Sequence, residues 1–258
     1  EVDPSNGKKI PKTGGVKKAS CDPDQVRAWW QRWPNALIGV ATGHDRLFVL
    51  DFEADAYLVA TRDARLFLVA TDAPGLSREA LVSIDRTRRL GELRFDNVAA
   101  EWLPGSEDVH HARTLIAHGR VMHAADTLGA AQAMLDQAVA YAGTREQFGR
   151  VIASFQAVKH LCAEMAAALE PSRALVWYAA HALSTLPAEA ELYACHAKAH
   201  VAEVGSFIAR TATEVHGGMG FTDLLGLHYW FKRIGLNRQL LGSPERAREE
   251  AARLQGLC

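Results

Sequence analysis

Long apolar runs are missing from this sequence. No stretch approaches the ~18 consecutive apolar residues that span a bilayer, so no membrane-spanning helix is expected. Cysteine is sparse: Cys21, Cys162, Cys195 and Cys258 lie far apart, with no CxxC pair. That speaks against a disulfide framework or a zinc site and predicts the reduced thiols of a cytoplasmic protein. A charge excess is missing as well. The 29 Lys and Arg nearly balance the 30 Asp and Glu of the 258-residue chain, for a formal net charge of -1. This argues against a whole-chain polyelectrolyte such as a nucleic-acid coat, while leaving room for a local basic patch. The opening Glu1-Val2-Asp3-Pro4 has neither Met nor a signal-peptide pattern, so the natural start is expected elsewhere.

What is present is unevenly spread. Trp29, Trp30 and Trp33 fall within the first 33 residues, together with Lys8, Lys9, Lys12, Lys17 and Lys18. From Ala112 onward the texture becomes Ala-rich and helix-favouring. Between them lies sequence rich in Val, Leu and Thr with Pro and Gly punctuation. Three segments follow: 1–53, 54–108 and 109–258.

The first segment opens with a polar, turn-rich stretch to Ala19. A helix is expected over Asp24–Arg32, with Ser20 or Asp22 as its cap and Pro23 in its first turn. Two apolar runs, Ala36–Ala41 and Arg46–Leu50, read as a hairpin-like strand pair ending in Asp51-Phe52-Glu53. Carboxylates at i and i+2 on a strand share a face. They can hold a divalent cation or simply form a solvated strand end.

In the second segment Ala56–Ala60, Leu66–Ala70 and Glu92–Phe95 read as strands of an antiparallel sheet. These are too few to close a barrel, so edges must be paired or left open. In the third, Leu128, Ala131, Leu135, Val139 and Ala142 mark one apolar stripe of a helix over about 115–142. Further helices are expected over 155–183, interrupted or bent at Pro171, over 188–215, from Asp223, and after Ser243-Pro244. The fold class is therefore mainly α: an up-and-down four-helix bundle preceded by a partial antiparallel β-domain and a small α/β N-terminal fragment.

Two resemblances carry functional expectations. The stretch KTGGVKKASCDPDQVRAWWQRWPNALIGVATGHDRLFVLDFE resembles the start of a bifunctional DNA primase/polymerase domain. That likeness implies metal carboxylates at Asp51 and Glu53, although the family usually has Asp at both, and its downstream groups have no counterpart here. The strings ADTLGAAQAMLDQAVAYAGTREQFGRVIASFQAVKHLCAEMA and VHGGMGFTDLLGLHYWFKR resemble the C-terminal helical domain of acyl-CoA dehydrogenases. Residues 54–108 resemble the second half of that family's middle β-domain. The family's N-terminal helical domain and the first half of its β-domain have no counterpart in this reading.

This second likeness implies α,β-dehydrogenation of acyl-CoA thioesters by FAD in fatty-acid or related catabolism. It implies homo- or hetero-oligomers built through the helical domain, with electron-transfer flavoprotein as acceptor. Arg145 would reach the pyrophosphate of a neighbouring subunit's FAD, for which a permanently charged planar fork is suited. Gln147, Phe148 and Gln156 would contact the same cofactor. His216, Gly217 and Gly218 would receive FAD from another side, with Thr222 near flavin and substrate. Arg120 would face CoA. Bland alternatives exist: a helix-terminal charge for Arg145, a carbonyl-capping role for His216, core packing for Phe148, surface positions for Gln156 and Arg120.

The likeness fails at the base. The usual catalytic Glu position is Leu224, and the alternative position on the first helix is Gly119. Asp223, one residue early, would point about 100° away on a helix and suits an N-cap; Asp126 is the other nearby acid. Three readings follow: a FAD-dependent dehydrogenase, a non-catalytic partner subunit of a heteromeric dehydrogenase, or a replication-related fusion binding nucleotide and metal. His196 and His200, at i and i+4, have metal-capable spacing but no evident third ligand.

Overall fold

The computed structural model describes residues 38–40, 48–51, 56–61, 65–103 and 108–257. The helix expected at Asp24–Arg32, the Lys-rich opening and Glu53 lie outside them, and Asp51 is described as strand backbone only. The chain forms two compact units: 1–83 with 89–113, and 84–88 with 114–258.

The first unit is a sheet. Strands β1 (Ile38–Val40), β2 (Phe48–Asp51), β3 (Ala56–Ala60), β4 (Leu66–Ala70) and β7 (Glu101–Trp102) pair antiparallel in the order β1-β2-β3-β4-β7. The runs Ala-Tyr-Leu-Val-Ala and Leu-Phe-Leu-Val-Ala are apolar without alternation, as strands covered on both faces are. Tyr57, Leu58, Val59 and Ala60 are indeed all buried.

Strands β5 (Leu76–Leu81) and β6 (Leu90–Phe95) form a separate hairpin in six-residue register, from Leu76 opposite Phe95 to Leu81 opposite Leu90. Leu76, Leu93 and Phe95 pack with Tyr57, Val59 and Val69 into one apolar cluster, and Arg78 Nη1 donates to the Tyr57 hydroxyl at 3.2 Å. Strand β5 was not expected. Its Ser77 to Leu81 are exposed, so no buried face patterned its sequence.

The second unit holds the helical bundle, α1 (Val109–Thr144) from residue 114 on, α2 (Gln156–Thr185), α3 (Pro187–His216), α4 (Leu227–Gln239) and α5 (Pro244–Leu254). Leu128, Ala131, Leu135 and Ala142 of the expected stripe are buried on α1, with Met134 and Ala138. Val139 is 51% exposed instead. Helix α2 continues through Pro171, where an interruption or a bend was expected. Helix α4 begins at Leu227 rather than near Asp223, because Asp223–Leu225 form a 3₁₀ turn and Gly226 enters the left-handed region at φ 68°. Ser243 caps α5 as expected, its Oγ accepting from Arg246 N at 3.5 Å, with Pro244 in the first turn. Small side chains (Ala131, Ala138, Ala194, Ala197, Ala212) let the helices approach, and Met134, Met165, Leu169, Ile208 and Ile234 fill the space between them.

Candidate functional site

One end of the bundle gathers most of the residues singled out above. Helix α1 ends at Thr144, and Arg145 N closes its last turn on Tyr141 O at 2.8 Å. The chain then makes a tight hairpin of β8 (Glu146–Gln147) and β9 (Arg150–Val151). Phe148 and Gly149 form its tip, with φ of 56° and 75°. Two successive positive φ values match the twist of a two-residue hairpin. For Phe the left-handed region costs about 1–2 kcal/mol, and yet its ring is 92% exposed, so burial offsets none of that cost. Ile152 N returns to Arg145 O at 2.8 Å, and Arg150 lies 4.0 Å over the Phe155 ring just before Gln156 opens α2. Arg145, Gln147 and Gln156 are exposed.

The end of α3 meets this turn through an aromatic contact. His216 stacks on Tyr141 with ring centroids 4.5 Å apart. The imidazole is buried, and its Nδ1 bonds to Ala212 O at 2.7 Å. Because a carbonyl only accepts, that contact puts the proton on Nδ1. Gly217 and Gly218 follow with open space where a Cβ would sit. Gly220 then pins the loop, because a Cβ there would lie 2.6 Å from Thr213 O. Thr222 Oγ1 donates to Met219 O at 2.8 Å. The result is an exposed guanidinium, an outward phenyl ring and bare glycine backbone at one bundle end. That donor set fits an anionic, planar-ringed ligand: Arg for phosphate, uncovered backbone for close approach.

Arg120 does not join them. It lies on α1, 25 residues before Arg145, which directly follows that helix, about 37 Å away along the axis. It is buried and forms a two-pronged pair with Glu250, at 2.9 and 2.7 Å. Its Nε donates to Leu241 O at 3.1 Å, and Nη1 also lies 3.0 Å from Cys195 Sγ. Burial opposes the charge of Arg120, but Glu250 holds it above the ordinary guanidinium value. Burial pushes the Cys195 thiol up to about 11.

The two base positions differ in kind. Leu224 is 81% exposed. Gly119 is buried, and a Cβ there would displace the Leu241 Cδ1 methyl, 2.4 Å away. Asp223 points into solvent, 3.5 Å from His228 Nε2.

A polar cluster that sequence reasoning missed lies inside the same unit. Asp126 accepts from Arg88 at 2.8 Å, from Arg233 at 2.9 Å and from Asn237 at 2.5 Å. Burial alone would raise this carboxyl, yet the Arg233 and Asn237 bonds and the Arg88 charge hold it below its usual range. Arg88 also bonds Asn237 Oδ1 at 2.8 Å and approaches His123 Nδ1 at 3.2 Å. Burial, then Arg88, drives His123 down to about 3, so it is neutral. Lys198 is buried with its ammonium on the Asn237 carbonyl. Burial and the charges of Arg120, Arg238 and Arg88 lower it to about 7. The available signal was position: Lys198 sits four residues from Ala194 and from Ala202, both buried, hence on the inward face of α3.

Comparison with known proteins decides the family. Residues 109–255, more than half of the chain, match the family described as "Acyl-CoA dehydrogenase, C-terminal domain". The chain belongs to the acyl-CoA dehydrogenase family. Residues 2–107 match "Bifunctional DNA primase/polymerase, N-terminal", so the two matches abut where α1 begins.

Acyl-CoA dehydrogenase IpdE2 of Mycobacterium tuberculosis is 36% identical over 180 residues, covering 69% of this chain and 51% of that protein. An alignment of that length cannot fit within 109–258, so it reaches back into the sheet segment. The caffeyl-CoA reductase–Etf complex subunit CarC of Acetobacterium woodii is 29% identical over 174 residues, covering 67% of this chain and 42% of that protein. The chain thus spans about half the length of these curated relatives. Among solved structures, the ChsE4–ChsE5 complex from M. tuberculosis superposes with TM-score 0.70 at 26% identity, over 86% of this chain and 63% of that chain. Butyryl-CoA dehydrogenase from Megasphaera elsdenii gives 0.71 at 20% identity, over 85% and 63%, a likeness of fold. This acyl-CoA dehydrogenase relative has no helix among its described residues that is long and apolar enough to cross a membrane.

Proposed function

We propose that the chain acts as a partner subunit in an FAD-dependent acyl-CoA dehydrogenase complex, supplying cofactor contacts to a site whose base stands on another subunit. The observation that carries this reading is the state of the two base positions. One holds an exposed Leu224, and the other is a buried Gly119, which bears no side chain. The bundle end around Arg145 keeps the features of a flavin contact: an exposed charge, an outward Phe148 and open glycine backbone.

In this reading Arg145 holds the cofactor pyrophosphate by paired N–H donors. Gln147, Phe148 and Gln156 line the same contact. The His216-Gly217-Gly218 loop receives the cofactor from α3, its shape fixed by the Tyr141 stack and by Gly220. Thr222 stands at the flavin and substrate side. When bound, FAD would supply the hydride acceptor for the β hydrogen of the acyl thioester, and the α proton would pass to a carboxylate of the partner. This chain's part is orientation and charge. Arg120, committed to Glu250, braces α1 against α5 and leaves CoA to other groups. Residues 54–108 belong with the dehydrogenase portion as half of its β-domain, and 109–258 form its helical domain. Electron-transfer flavoprotein is the acceptor this family membership favours, and CarC, a subunit of a complex with Etf, is a relative of that kind.

The test is co-expression with a base-bearing acyl-CoA dehydrogenase chain, followed by size exclusion with absorbance at 350–500 nm. Co-elution with bound flavin is expected. Two chains that never co-elute, or a lone chain that binds FAD and reduces it with acyl-CoA, would overturn the reading.

A further inference from the structure

We infer that Phe155 and Arg150 are positioning residues for the cofactor contact: together they set the direction of the exposed Phe148 ring. This rests on the reading of that bundle end as a flavin contact. The backbone of the turn does not set that direction. Phe148-Gly149 fills a two-residue turn with both φ values positive, where Asn-Gly is the favoured pair. The ladder of Glu146 with Val151 and Gln147 with Arg150 fixes the Phe148 backbone. It does not choose among the staggered χ1 wells of a side chain that is 92% exposed. A ring that swings among those wells must be ordered each time a ligand binds, which weakens binding.

What singles out one direction is aromatic. The Phe148 and Phe155 rings meet edge to face, with centroids 6.2 Å apart and planes at 83°. Ring quadrupoles favour that geometry. Phe155 is itself held in place. It is half-buried, its N–H donates to Ile152 O at 3.1 Å, and its carbonyl accepts from Lys159 N at 3.2 Å. Ser154 Oγ closes the preceding turn on Val151 O at 2.7 Å. The Arg150 guanidinium lies 4.0 Å over the Phe155 ring, a cation–π contact. Arg150 also stands opposite Gln147 in the hairpin, next to the tip. Arg150 thus holds Phe155, and Phe155 holds Phe148. Neither Phe155 nor Arg150 needs to touch the cofactor to affect its binding.

The test uses the full chain and its co-purified complex. With 4-fluorophenylalanine in place of Phe, the fluorine signal of residue 148 is assigned by its loss in Phe148→Leu. That signal should shift in Phe155→Leu and in Arg150→Met, and stay in Arg150→Lys, which keeps the charge. An unmoved signal in Phe155→Leu would overturn the inference, whatever the complex binds. FAD affinity of the complex is then read by flavin absorbance. Phe155→Leu should weaken it about 2- to 10-fold, and Arg150→Met about 2- to 5-fold. In a Phe148→Ala background Phe155→Leu should add nothing. Equal losses with and without the Phe148 ring would also overturn the inference, because Phe155 would then act independently of it. An FAD affinity that ignores Phe148→Ala and Arg145→Ala alike would instead overturn the flavin reading, and the fluorine signal would still decide whether Phe155 holds Phe148.

Discussion

Lys198 is the residue on which the bundle's pH response turns. Its ammonium is buried with a carbonyl as its hydrogen-bond acceptor, and its value falls to about 7 from an ordinary 10.5. Below pH 7 both folded and unfolded chains carry the proton, and the folded state bears the buried charge. Between 7 and 10.5 the unfolded chain binds more protons, so stability should climb with pH. The climb is on the order of 5 kcal/mol. Lys198→Met should remove it, with the variant more stable than wild type at pH 6 in urea unfolding; a parallel pH profile would contradict the assignment. His123 acts lower on the scale. Held at about 3 against an ordinary 6.5, it should cost stability progressively as pH falls through that window, together with Asp126 and Glu250, whose lowered values give losses of the same sign. Arg120→Ala should destabilise by about 3 kcal/mol, because it strands Glu250 half-buried. These contacts were beyond sequence reasoning for a physical reason. Arg120 meets Glu250 across 130 positions, and Arg88 meets Asn237 across 149. Local spacing carries no trace of such partners.

At the scale of elements, the two base positions make opposite predictions. Leu224→Glu changes an exposed residue and should alter the melting temperature little, within about 0.5 kcal/mol. Gly119→Glu forces a side chain into Leu241 and should cost about 1–3 kcal/mol or more. Thermal melts of the two variants check this; equal loss in both would contradict the packing around Gly119. The helices were legible because their apolar residues recur at three and four, and because Ser243-Pro244 and Gly217 mark ends by known chemistry. Strand β5 was not legible because its exposed face imposes no period. The start of α4 slipped by four residues because Gly226, in the left-handed region, resets the chain after a short 3₁₀ turn. Pro171 does not end α2, which buries residues on both sides of it, Leu169 and Ser172.

For the whole molecule, the two family matches coincide with the two compact units except at two short stretches: residues 84–88, which fold with the bundle through Arg88, and 109–113, the start of α1, which group with the first unit. The residues that the resemblance picked out, Arg145, Gln147, Phe148, Gln156, His216, Gly217, Gly218 and Thr222, stand at one bundle end, and their role there belongs to the proposed function. The chemistry that ties them, a Tyr141–His216 stack and a Phe148 held at positive φ, needed the fold. The central claim is that this end serves a flavin shared with a base-bearing partner. Its most direct measurement is FAD affinity of the co-purified complex, followed by flavin absorbance, for wild type against Arg145→Ala. Loss of a charge-assisted phosphate contact of about 1.5–3 kcal/mol predicts about 10- to 100-fold weaker binding, with the helical fold intact by circular dichroism. Unchanged FAD affinity in the Arg145→Ala complex would contradict the account.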